Sequence, residues 1–524
     1  MRFFNFILYI VFRLFPVWIL DTPLSSSLPT SKRTIKNFSK IDPSLFDYIS
    51  GKKVLFIFKK ACKIVPAYKK FLQEKNVSPR EVKNIADYDK LVPQTTKENY
   101  VQAFSLTERC IHGKFPRKGS LEESAGTSGT STLWIRSQEE EADNLSMIKA
   151  TMKYLYDFDK EERYIVLNSL MIGGWTGGLR FASRIGSLGI VRNIGPDAQK
   201  VIRCMTELGH GFTYIIGGYP PFIINLIEYG NKLNDFDWTK YKVHIFTGGE
   251  GFVEEWRKYV SSRLRTGAKI FSDYGAIDLD VGISMETPFT VAIRKLIKDD
   301  NELRNDILSS ERLPCYIGQY SPQRFYIRET INKDNVKELE ITVLNLKASS
   351  PKIKYVIGDE GGIIRFQDTC KTLENRGYSV NKLMNDFNIS AIIPFPLVYI
   401  YGRSDGTVTI NGAIISPSEI YEAILSDNEL VSAINTFKLS VESDTDNFIR
   451  LFIFLEARKN VEISNSLIYR CKDILVSKLL ESNECYRISY KKNPAAARPV
   501  INVIPFQTGI FANKSGFLKH IYIK

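Results

Sequence analysis

The middle of the chain alternates between short apolar runs and longer segments with helical spacing of apolar residues. Four of the runs lie at 164–167, 214–216, 243–246 and 269–271. Strands buried on both faces read as continuous apolar runs, and helices between consecutive strands make the strands parallel. The alternation therefore predicts an α/β fold with a mainly parallel sheet.

The patterning differs on either side of this region. Helical spacing covers 54–91 and 138–157, and the runs 339–346 and 362–366 predict strands of a more antiparallel part. After Arg403 the pattern predicts a compact α+β unit, with strands at 408–410 and 449–455, a helix start at 417–419 and a helix at 465–480. Because 524 residues exceed what one hydrophobic core supports, we expect a large domain at 21–402 and a small domain at 403–524.

Residues 1–20 are nearly all apolar and permit several interpretations. A signal peptide fits Arg2 but not the lack of a small-residue cleavage pattern. A spanning helix needs about 20 apolar residues, and Arg13 and Pro16 disfavour it. A helix packed on the protein's own core is a further alternative. We expect an interfacial anchor that contacts a membrane surface, followed by a linker at 21–40.

The formal net charge of +13 indicates either an anionic partner, such as nucleic acid, a membrane surface or an acidic substrate, or a generally basic surface without a specific partner. No zinc-finger, basic-zipper or RNA-recognition signature occurs, so we expect no nucleic acid, although a basic nucleic-acid-binding protein stays an alternative. The seven cysteines are dispersed without a C-x-x-C pair. They indicate reduced thiols, as in a cytoplasmic protein. We therefore expect the protein in the cytoplasm, either free or bound peripherally to the inner face of the membrane.

A cluster of glycines and hydroxyl residues at 124–132 precedes a helical segment. Glycine lets the backbone approach an anion, and N–H and hydroxyl groups donate to phosphate oxygens. The cluster is not a Walker A loop, because that spacing and its lysine are missing. A flexible loop is the alternative. The candidate phosphate-binding residues are Ser124, Gly126, Thr127, Ser128, Gly129 and Thr130.

Four further segments place glycine beside aromatic or charged residues, at 246–250, 272–278, 355–361 and 401–406. A Gly-Gly turn can pass a flat ligand, a tyrosine can stack on a base, and a carboxylate can hold Mg²⁺ or accept ribose hydroxyls. Ordinary surface turns are the alternative for each segment. The candidate residues are Gly249, Glu250, Tyr274, Gly275, Asp278, Asp359, Arg403 and Asp405.

Together and in this order, these segments resemble the adenylate-forming superfamily of acyl-CoA synthetases, peptide-synthetase adenylation domains and luciferases. Within it, the stretches at 215–221, 246–250 and 412–419 are most similar to the phenylacetate–CoA ligase branch. The resemblance implies an α/β large domain with a small C-terminal lid. It also implies that ATP and a carboxylic acid form an acyl-adenylate and pyrophosphate, with Mg²⁺, before the acyl group passes to coenzyme A or an amine.

The resemblance also implies roles for single residues. The 124–132 loop would hold the β- and γ-phosphates, Tyr274 would flank adenine, and Asp278 would bind Mg²⁺. Asp359 and Arg403 would bind ribose, and Asp405 would be the hinge of the lid.

The chain departs from the family's pattern at three positions. Ile277 and Ile357 stand where hydroxyl residues are expected, and Phe517 stands where the catalytic lysine of the small domain is expected. Lys519 is the candidate for that lysine, with Lys514 as the alternative.

The acid and its setting are less closely defined. Residues 173–178 and 219–222 can line an acyl pocket, and the apolar N-terminus favours a membrane setting such as surface-polysaccharide or lipid-linked glycan synthesis. A degenerate family member that binds nucleotide or acyl groups without catalysis is the main alternative, because of Phe517, Ile277 and Ile357.

Overall fold

The computed structural model describes residues 40–124, 132–156, 163–172, 176–186, 189–333, 335–404, 406–443 and 449–512, with positions 13, 14, 16 and 17. Most of the predicted anchor and linker at 1–40, the interior of the 124–132 loop, and the end of the chain lie outside these ranges. Among the described residues, no helix combines the length and apolar character needed to cross a bilayer.

Three helices form the first part of the described chain, α1 (Pro43–Ile64), α2 (Pro66–Glu74) and α3 (Ile85–Leu91). Asp42 caps the first helix, and Asn84 and Asp87 form a capping box on the third. Their apolar faces contribute Phe58 and Tyr88 to a buried aromatic cluster. The helical spacing at 54–91 therefore corresponds to real helices, and proline at the start of α1 and α2 is compatible with helix initiation.

An eleven-stranded sheet forms the centre of the molecule. Its strands are β3 (Tyr164–Asn168), β4 (Ile190–Asn193), β5 (Thr213–Gly217), β6 (Lys242–Gly248), β7 (Ile270–Ala276), β8 (Asp280–Met285), β9 (Tyr316–Gln319), β10 (Phe325–Ile331), β11 (Lys337–Val343), β12 (Tyr355–Ile364) and β13 (Leu397–Arg403). Their order across the sheet is β10-β11-β12-β13-β9-β8-β7-β6-β5-β3-β4. A separate antiparallel pair, β1 (Gly119–Ser124) and β2 (Thr132–Ser137), precedes it.

In the part of the chain that the structure describes, nine helices connect and cover these strands. They are α4 (Gln138–Tyr156), α5 (Thr176–Ile185), α6 (Ala198–Leu208), α7 (Pro220–Asn231), α8 (Glu254–Arg263), α9 (Pro288–Asp299), α10 (Asn301–Leu308), α11 (Phe366–Asn375) and α12 (Val380–Asp386).

The strands from β4 to β7 are parallel, as the four apolar runs predicted. Helices cover both faces of this part. The cores on the two faces are separate, with α6 and α7 on one side and α4 and α5 on the other. The carboxyl ends of parallel strands form one edge of such a sheet, where α/β proteins place their ligands.

The strands from β7 to β10 along the sheet pair antiparallel, as predicted for the later runs. The predicted ends of both later runs are wrong. The strand expected at 339–346 ends at Val343. The strand expected at 362–366 already begins at Tyr355 and ends at Ile364, and Phe366 begins a helix. Phe366 packs its ring on Phe289, with 5.7 Å between centroids. Phe366 is apolar because its ring packs against another helix, and this apolar residue made the predicted strand too long.

After Arg403 the chain forms smaller sheets of its own. The elements are β14 (Val408–Ile410), β15 (Ala413–Ile415), α13 (Pro417–Leu425), α14 (Asn428–Ala433), β16 (Ile434–Ser443), β17 (Ile449–Ala457), α15 (Asn465–Ser482), α16 (Glu484–Lys492), α17 (Pro494–Ala497) and β18 (Val500–Ile504). We call this part the C-terminal unit. The α/β fold class with a smaller α+β part is confirmed, while the boundary at 402/403 stays a prediction.

Candidate active site

One cavity of about 1220 Å³ lies at the carboxyl ends of the parallel strands, between the central sheet and the C-terminal unit. Sites for one drug-sized ligand measure roughly 300–1,000 Å³, so this cavity has room for more than one small molecule. It brings together eight of the predicted site residues, namely Ser124, Gly249, Glu250, Tyr274, Gly275, Asp278, Asp359 and Arg403. The others lie outside the described residues: Gly126, Thr127, Ser128, Gly129, Thr130, Asp405 and Lys519.

The ends of the predicted phosphate loop are fixed beside each other. Ser124 ends β1 and pairs with Thr132, the first residue of β2. The Ser124 hydroxyl accepts a hydrogen bond of 2.9 Å from the indole nitrogen of Trp134. The loop therefore begins at a buried, anchored residue in the wall of the cavity.

Asp359 is held by residues from two other strands. It lies opposite Arg403 in the register of β12 and β13. The Arg403 guanidinium donates to Asp359 Oδ1 at 3.1 Å and to the Ile357 carbonyl at 2.7 Å. The phenol of Tyr274 on β7 donates to Asp359 Oδ2 at 2.6 Å. The three residues predicted to bind the nucleoside thus form one hydrogen-bonded group.

Gly358 is required by this arrangement. Its φ of +84° lies in the left-handed region, which favours glycine. A β-carbon at Gly358 would lie 3.1 Å from a terminal nitrogen of Arg403. Glycine therefore makes the turn and leaves room for the arginine.

Asp278 lies in the turn between β7 and β8 and accepts a hydrogen bond of 2.8 Å from the Tyr355 phenol. Arg136 on β2 fixes this turn from beneath, since it donates to the Ile277 carbonyl at 2.6 Å and the Leu279 carbonyl at 3.0 Å. Arg136 is fully buried and ion-paired with Glu122 at 2.9 Å. Arg136 was not among the predicted site residues, because an arginine in an alternating strand normally faces solvent.

A segment before the central sheet also reaches the cavity. Thr95 pairs with the beginning of β12. Its N–H donates to the Lys354 carbonyl and its carbonyl accepts from the Val356 N–H, both at 2.9 Å. The next residues, Thr96, Lys97 and Glu98, line the cavity. Within the described lining, Lys97 and Arg403 are the cationic side chains. Lys97 was not among the predicted site residues, because nothing local relates position 97 to a strand about 260 residues later.

Glu250 connects the central sheet to the C-terminal unit. Its Oε1 accepts a hydrogen bond of 2.8 Å from the Gly412 N–H. Burial raises the pKa of the Glu250 carboxyl to about 8, and the Gly412 bond offsets this only in part. Gly249 beside it has a φ of +76°, so the Gly-Gly turn predicted at 246–250 does need a residue without a side chain.

A second branch of the cavity is mostly apolar. Phe181 and Phe246 stack in its wall with 4.7 Å between ring centroids. Met152, Leu170 and Met285 line the same branch. Of the residues predicted to line an acyl pocket, Gly177, Gly178 and Tyr219 line the cavity, whereas 173–175 lie outside the described residues. The expectation for Phe222 is wrong, because helix α7 turns its ring into the core beneath the sheet.

The described residues include no group of three His, Cys, Asp or Glu side chains that could hold a metal ion by themselves. Asp278 is one of several carboxylates in the cavity wall, which also contains Glu250 and Asp359. Magnesium sites built on nucleotides use one or two carboxylates together with phosphates and water. Asp278 therefore fits a role as a protein ligand of a nucleotide-bound Mg²⁺.

No protein-family model and no curated protein matches the sequence. Solved structures do match over nearly the full length. The chain is similar to 2-hydroxyisobutyryl-CoA ligase with 2-HIB-AMP and CoA in the thioesterification state, with a TM-score of 0.59, 12% identity, and coverage of 95% of this chain and 94% of that one.

Two other structures of that ligase match with similar coverage. The postadenylation state with R3-HIB-AMP gives a TM-score of 0.53, 13% identity, and coverage of 95% and 94%. An open conformation with 2-HIB-AMP and CoA gives 0.51, 13% identity, and coverage of 95% and 96%. Such low identity carries the fold alone. The chain has the fold of this CoA ligase, in agreement with the fold that the resemblance to the adenylate-forming superfamily implied, while the phenylacetate–CoA ligase branch stays a prediction.

Proposed function

We propose that this protein uses ATP to activate a carboxylic acid as an acyl-adenylate. The observation that carries the proposal is the single cavity that joins the Tyr274–Asp359–Arg403 group to an apolar branch. A carboxylate oxygen of the acid would attack the α-phosphorus of ATP, and the bond to pyrophosphate would break. Alignment of two bound reactants is itself a large part of catalysis for such a transfer.

The residues around the cavity would divide the work. The Asp359 carboxylate would accept hydrogen bonds from the ribose hydroxyls, and Arg403 and Tyr274 would hold that carboxylate in place. Asp278 would hold Mg²⁺, which neutralises phosphate charge when it is bound. The loop at 124–132 would bind phosphate oxygens, and the acyl chain would occupy the branch at Phe181 and Phe246.

The activated acyl group would then pass to coenzyme A or an amine. The adenylate carbonyl would be attacked by the acceptor, and AMP would leave. The cation that stabilises charge during the first step would be Lys97 from the cavity wall or Lys519 from the end of the chain.

Pyrophosphate release and hydroxamate formation test the proposal. The assay contains ATP, Mg²⁺, hydroxylamine and a panel of aryl, fatty, amino and hydroxy acids, and hydroxylamine traps any adenylate without a known acceptor. Asp359→Ala should abolish the signal. Asp306→Ala, which removes an exposed carboxylate that pairs with Arg376 far from the cavity, should leave it intact. Absence of ATP binding by the wild-type protein would refute the proposal.

A second candidate function is nucleotide or acyl binding without catalysis. Ile277 and Ile357 both line the cavity at positions where the resemblance implies hydroxyl residues. Two apolar side chains there would remove donors to the phosphate and the nucleoside. ATP binding with silence across the whole acid panel would favour this candidate over the enzyme.

Residues 1–20 are part of the proposal as a membrane-contacting segment. The support is their apolar composition in the sequence. Deletion of 1–20 should release the protein from anionic vesicles in a sedimentation assay, and the truncated protein should keep its ATP binding. Continued sedimentation of the truncated form would refute the anchor. A setting in surface-polysaccharide synthesis would gain support from an amino sugar that accepts the acyl group.

A further inference from the structure

A buried arginine lies behind the cavity wall, between the lining segment 96–98 and strand β1 in the sequence. The Arg109 residue is only 4% exposed. Its Nε and one terminal nitrogen, Nη1, are buried, and neither has a hydrogen-bond acceptor in the described part of the chain. Burial of a cation without a partner is strongly unfavourable. The Arg109 guanidinium therefore fits a place where negative charge is brought close to it.

Trp134 connects Arg109 to the cavity. The Arg109 Cζ lies 5.5 Å from the centroid of the Trp134 ring. The indole nitrogen of Trp134 donates to Ser124, and its ring packs edge-on against Tyr355 with 6.0 Å between centroids. Ser124 and Tyr355 both line the cavity. One aromatic side chain thus lies between the guanidinium and two residues of the wall.

A second buried cation lies at the same indole ring. The Lys352 Nζ is 5.7 Å from the Trp134 centroid, and Lys352 is 5% exposed. Burial raises the pKa of the Cys110 thiol, and the charges of Lys352 and Arg109 offset part of this rise. Both cations are therefore close to one thiol as well as to one ring, and they form a positive region behind the wall.

The carboxylates around this region have other partners. Glu140 pairs with Arg136 at 3.3 Å and accepts a hydrogen bond of 3.3 Å from the Ser349 N–H. Asp278 accepts from the Tyr355 phenol and forms no hydrogen bond with Arg109. Burial lowers the pKa of Arg109, and the Asp278 charge offsets part of this effect.

The two charges therefore interact across the wall. Such an interaction reaches further inside a protein than at its surface, because little water screens it. The positive region behind Trp134 consequently acts on the end of the cavity formed by Ser124 and Asp278, where the proposed function has the phosphates and Mg²⁺.

We propose that Arg109 is a positioning residue for the β- and γ-phosphates of ATP and for the pyrophosphate that leaves. This inference rests on the proposed function, since it concerns the nucleotide of that reaction. The guanidinium attracts these phosphates toward Ser124 and Asp278 through the charge it holds behind Trp134, without touching them. AMP carries the α-phosphate alone and gains much less from this charge. Arg109 thus favours ATP over AMP.

The test compares the affinities of ATP and AMP, each measured by isothermal titration in the presence of Mg²⁺. Arg109→Met should weaken ATP binding about tenfold, because a buried charge close to the two additional phosphates is removed. AMP affinity should stay within about twofold of the wild-type value. The ratio of the two affinities is the readout, since a merely structural role would change both alike.

Two further variants serve as controls. Arg109→Lys keeps the positive charge and should bring the ATP-to-AMP ratio back to within about threefold of the wild-type ratio. Arg304 is the matched arginine, because it is also buried and its Nε also has no partner, but it does not line the cavity and bonds to the Ile297 carbonyl and the Asn301 side chain. Arg304→Met should lower stability and leave the ratio unchanged.

The wild-type protein supplies a measurement that needs no variant. Amide hydrogen exchange in the segment 105–113, which contains Arg109, should slow when ATP or pyrophosphate binds, because an attracted anion orders the residues that hold the cation. AMP should leave this exchange unchanged. Equal slowing by AMP and ATP would overturn the inference, and this result decides the question even if Arg109→Met does not fold.

The outcomes separate the two proposals. Equal losses of ATP and AMP affinity in Arg109→Met, or an unchanged ATP affinity, would overturn the inference and leave acid activation intact. An Arg304→Met variant with the same change in ratio would also overturn it, because the effect would then come from any buried arginine. Absence of ATP binding by the wild-type protein would refute the proposed function, and the inference with it.

Discussion

At the scale of single residues, the hydrogen bond from the Tyr274 phenol to Asp359 can be tested by removing one oxygen atom. The phenol donates to Asp359 at 2.6 Å, and burial followed by the Asp359 charge raises the pKa of Tyr274 well above its usual value. Tyr274→Phe should weaken ATP or AMP binding by about tenfold, since bonds to charged groups contribute about 1.5–3 kcal/mol. Isothermal titration measures the change.

Tyr316→Phe is the control for this variant. Tyr316 packs beside Tyr274 with 5.9 Å between ring centroids, but its hydroxyl bonds to Ser284 instead of Asp359. We expect it to leave nucleotide affinity within about twofold, a few tenths of a kcal/mol. Equal effects of the two variants would contradict the role assigned to Tyr274.

Lys97 provides a second test at this scale. Its partly buried side chain lines the cavity beside Thr96. If it supplies the cation of the adenylation step, Lys97→Met should lower kcat for pyrophosphate release by about 100-fold, comparable with removal of one preorganised donor, and Lys519→Met should have little effect. The reverse ranking would assign the step to Lys519.

Glu250 makes stability depend on pH. Its pKa in the folded protein is about 8, above the usual value for a glutamate, so the folded state binds the proton more tightly than the unfolded state. The stabilisation is complete below the unfolded pKa and is lost as pH rises through about 8. Between pH 5 and pH 8.5, the wild-type protein should lose about 2 kcal/mol of its free energy of unfolding, after allowance for solvent access. The Glu250→Gln variant should not show this loss. Denaturant unfolding at the two pH values measures both. A wild-type slope that persists in the variant would contradict this assignment.

At the scale of elements, the turn between β7 and β8 depends on strand β2. Arg136 is fully buried, pairs with Glu122 and bonds to two carbonyls beside Asp278. Arg136→Met should lower the free energy of unfolding by about 3 kcal/mol, because the buried carboxylates of Glu122 and Glu140 each lose an ion pair, while Glu122 keeps its pair with Arg180. Urea unfolding measures the loss, and pyrophosphate release should fall more than the folded fraction does.

The control for Arg136 is an exposed arginine pair. Arg203 and Glu207 on α6 form a 2.9 Å ion pair with side chains 72% and 60% exposed. Arg203→Met should cost at most about 1 kcal/mol, as exposed pairs do. Similar losses for the two variants would mean that burial of Arg136 does not govern the effect.

The elements also show what local sequence can predict. The strand Val408–Ile410 has the predicted bounds, and helix α15 begins at the predicted Asn465, because apolar periodicity and the Ser464 cap are local signals. The positions of Arg136, Lys97 and Phe222 depend on which face of an element meets which neighbour. Local patterns do not contain that information, so these residues could not be assigned from the sequence.

The residues of the candidate site were predicted from the order of several short segments along the chain, more than from any single segment. Tyr274, Asp359 and Arg403 lie on three strands and meet in one cavity, as the resemblance implied. The network that supports them was not predictable, since Arg136 and Thr95 act through carbonyl groups that sequence alone does not place.

At the scale of the whole molecule, Gly412 joins the C-terminal unit to the large part of the chain. It donates to Glu250, has a φ of +79°, and a β-carbon there would lie 3.3 Å from the Tyr219 ring. Gly412→Ala should therefore weaken this docked arrangement by about 1–2 kcal/mol.

Urea unfolding measures that effect, as a fall of about 1–2 kcal/mol in the free energy of unfolding of the Gly412→Ala variant. Ala413→Gly, which changes the adjacent residue without left-handed strain, is the comparison. An unchanged free energy of unfolding for Gly412→Ala would contradict the strain assigned to position 412.

The bridge between Thr95 and Tyr355 has a consequence for the order of events during synthesis. The cavity wall is built from residues before the central sheet, from β7 and β12, and from Arg403 at the end of β13. Contacts between such distant parts of the chain form late, because each closes a long loop. A growing chain on the ribosome thus cannot assemble the Tyr274–Asp359–Arg403 group until Arg403 has emerged, and an interrupted translation product would lack the proposed ATP site.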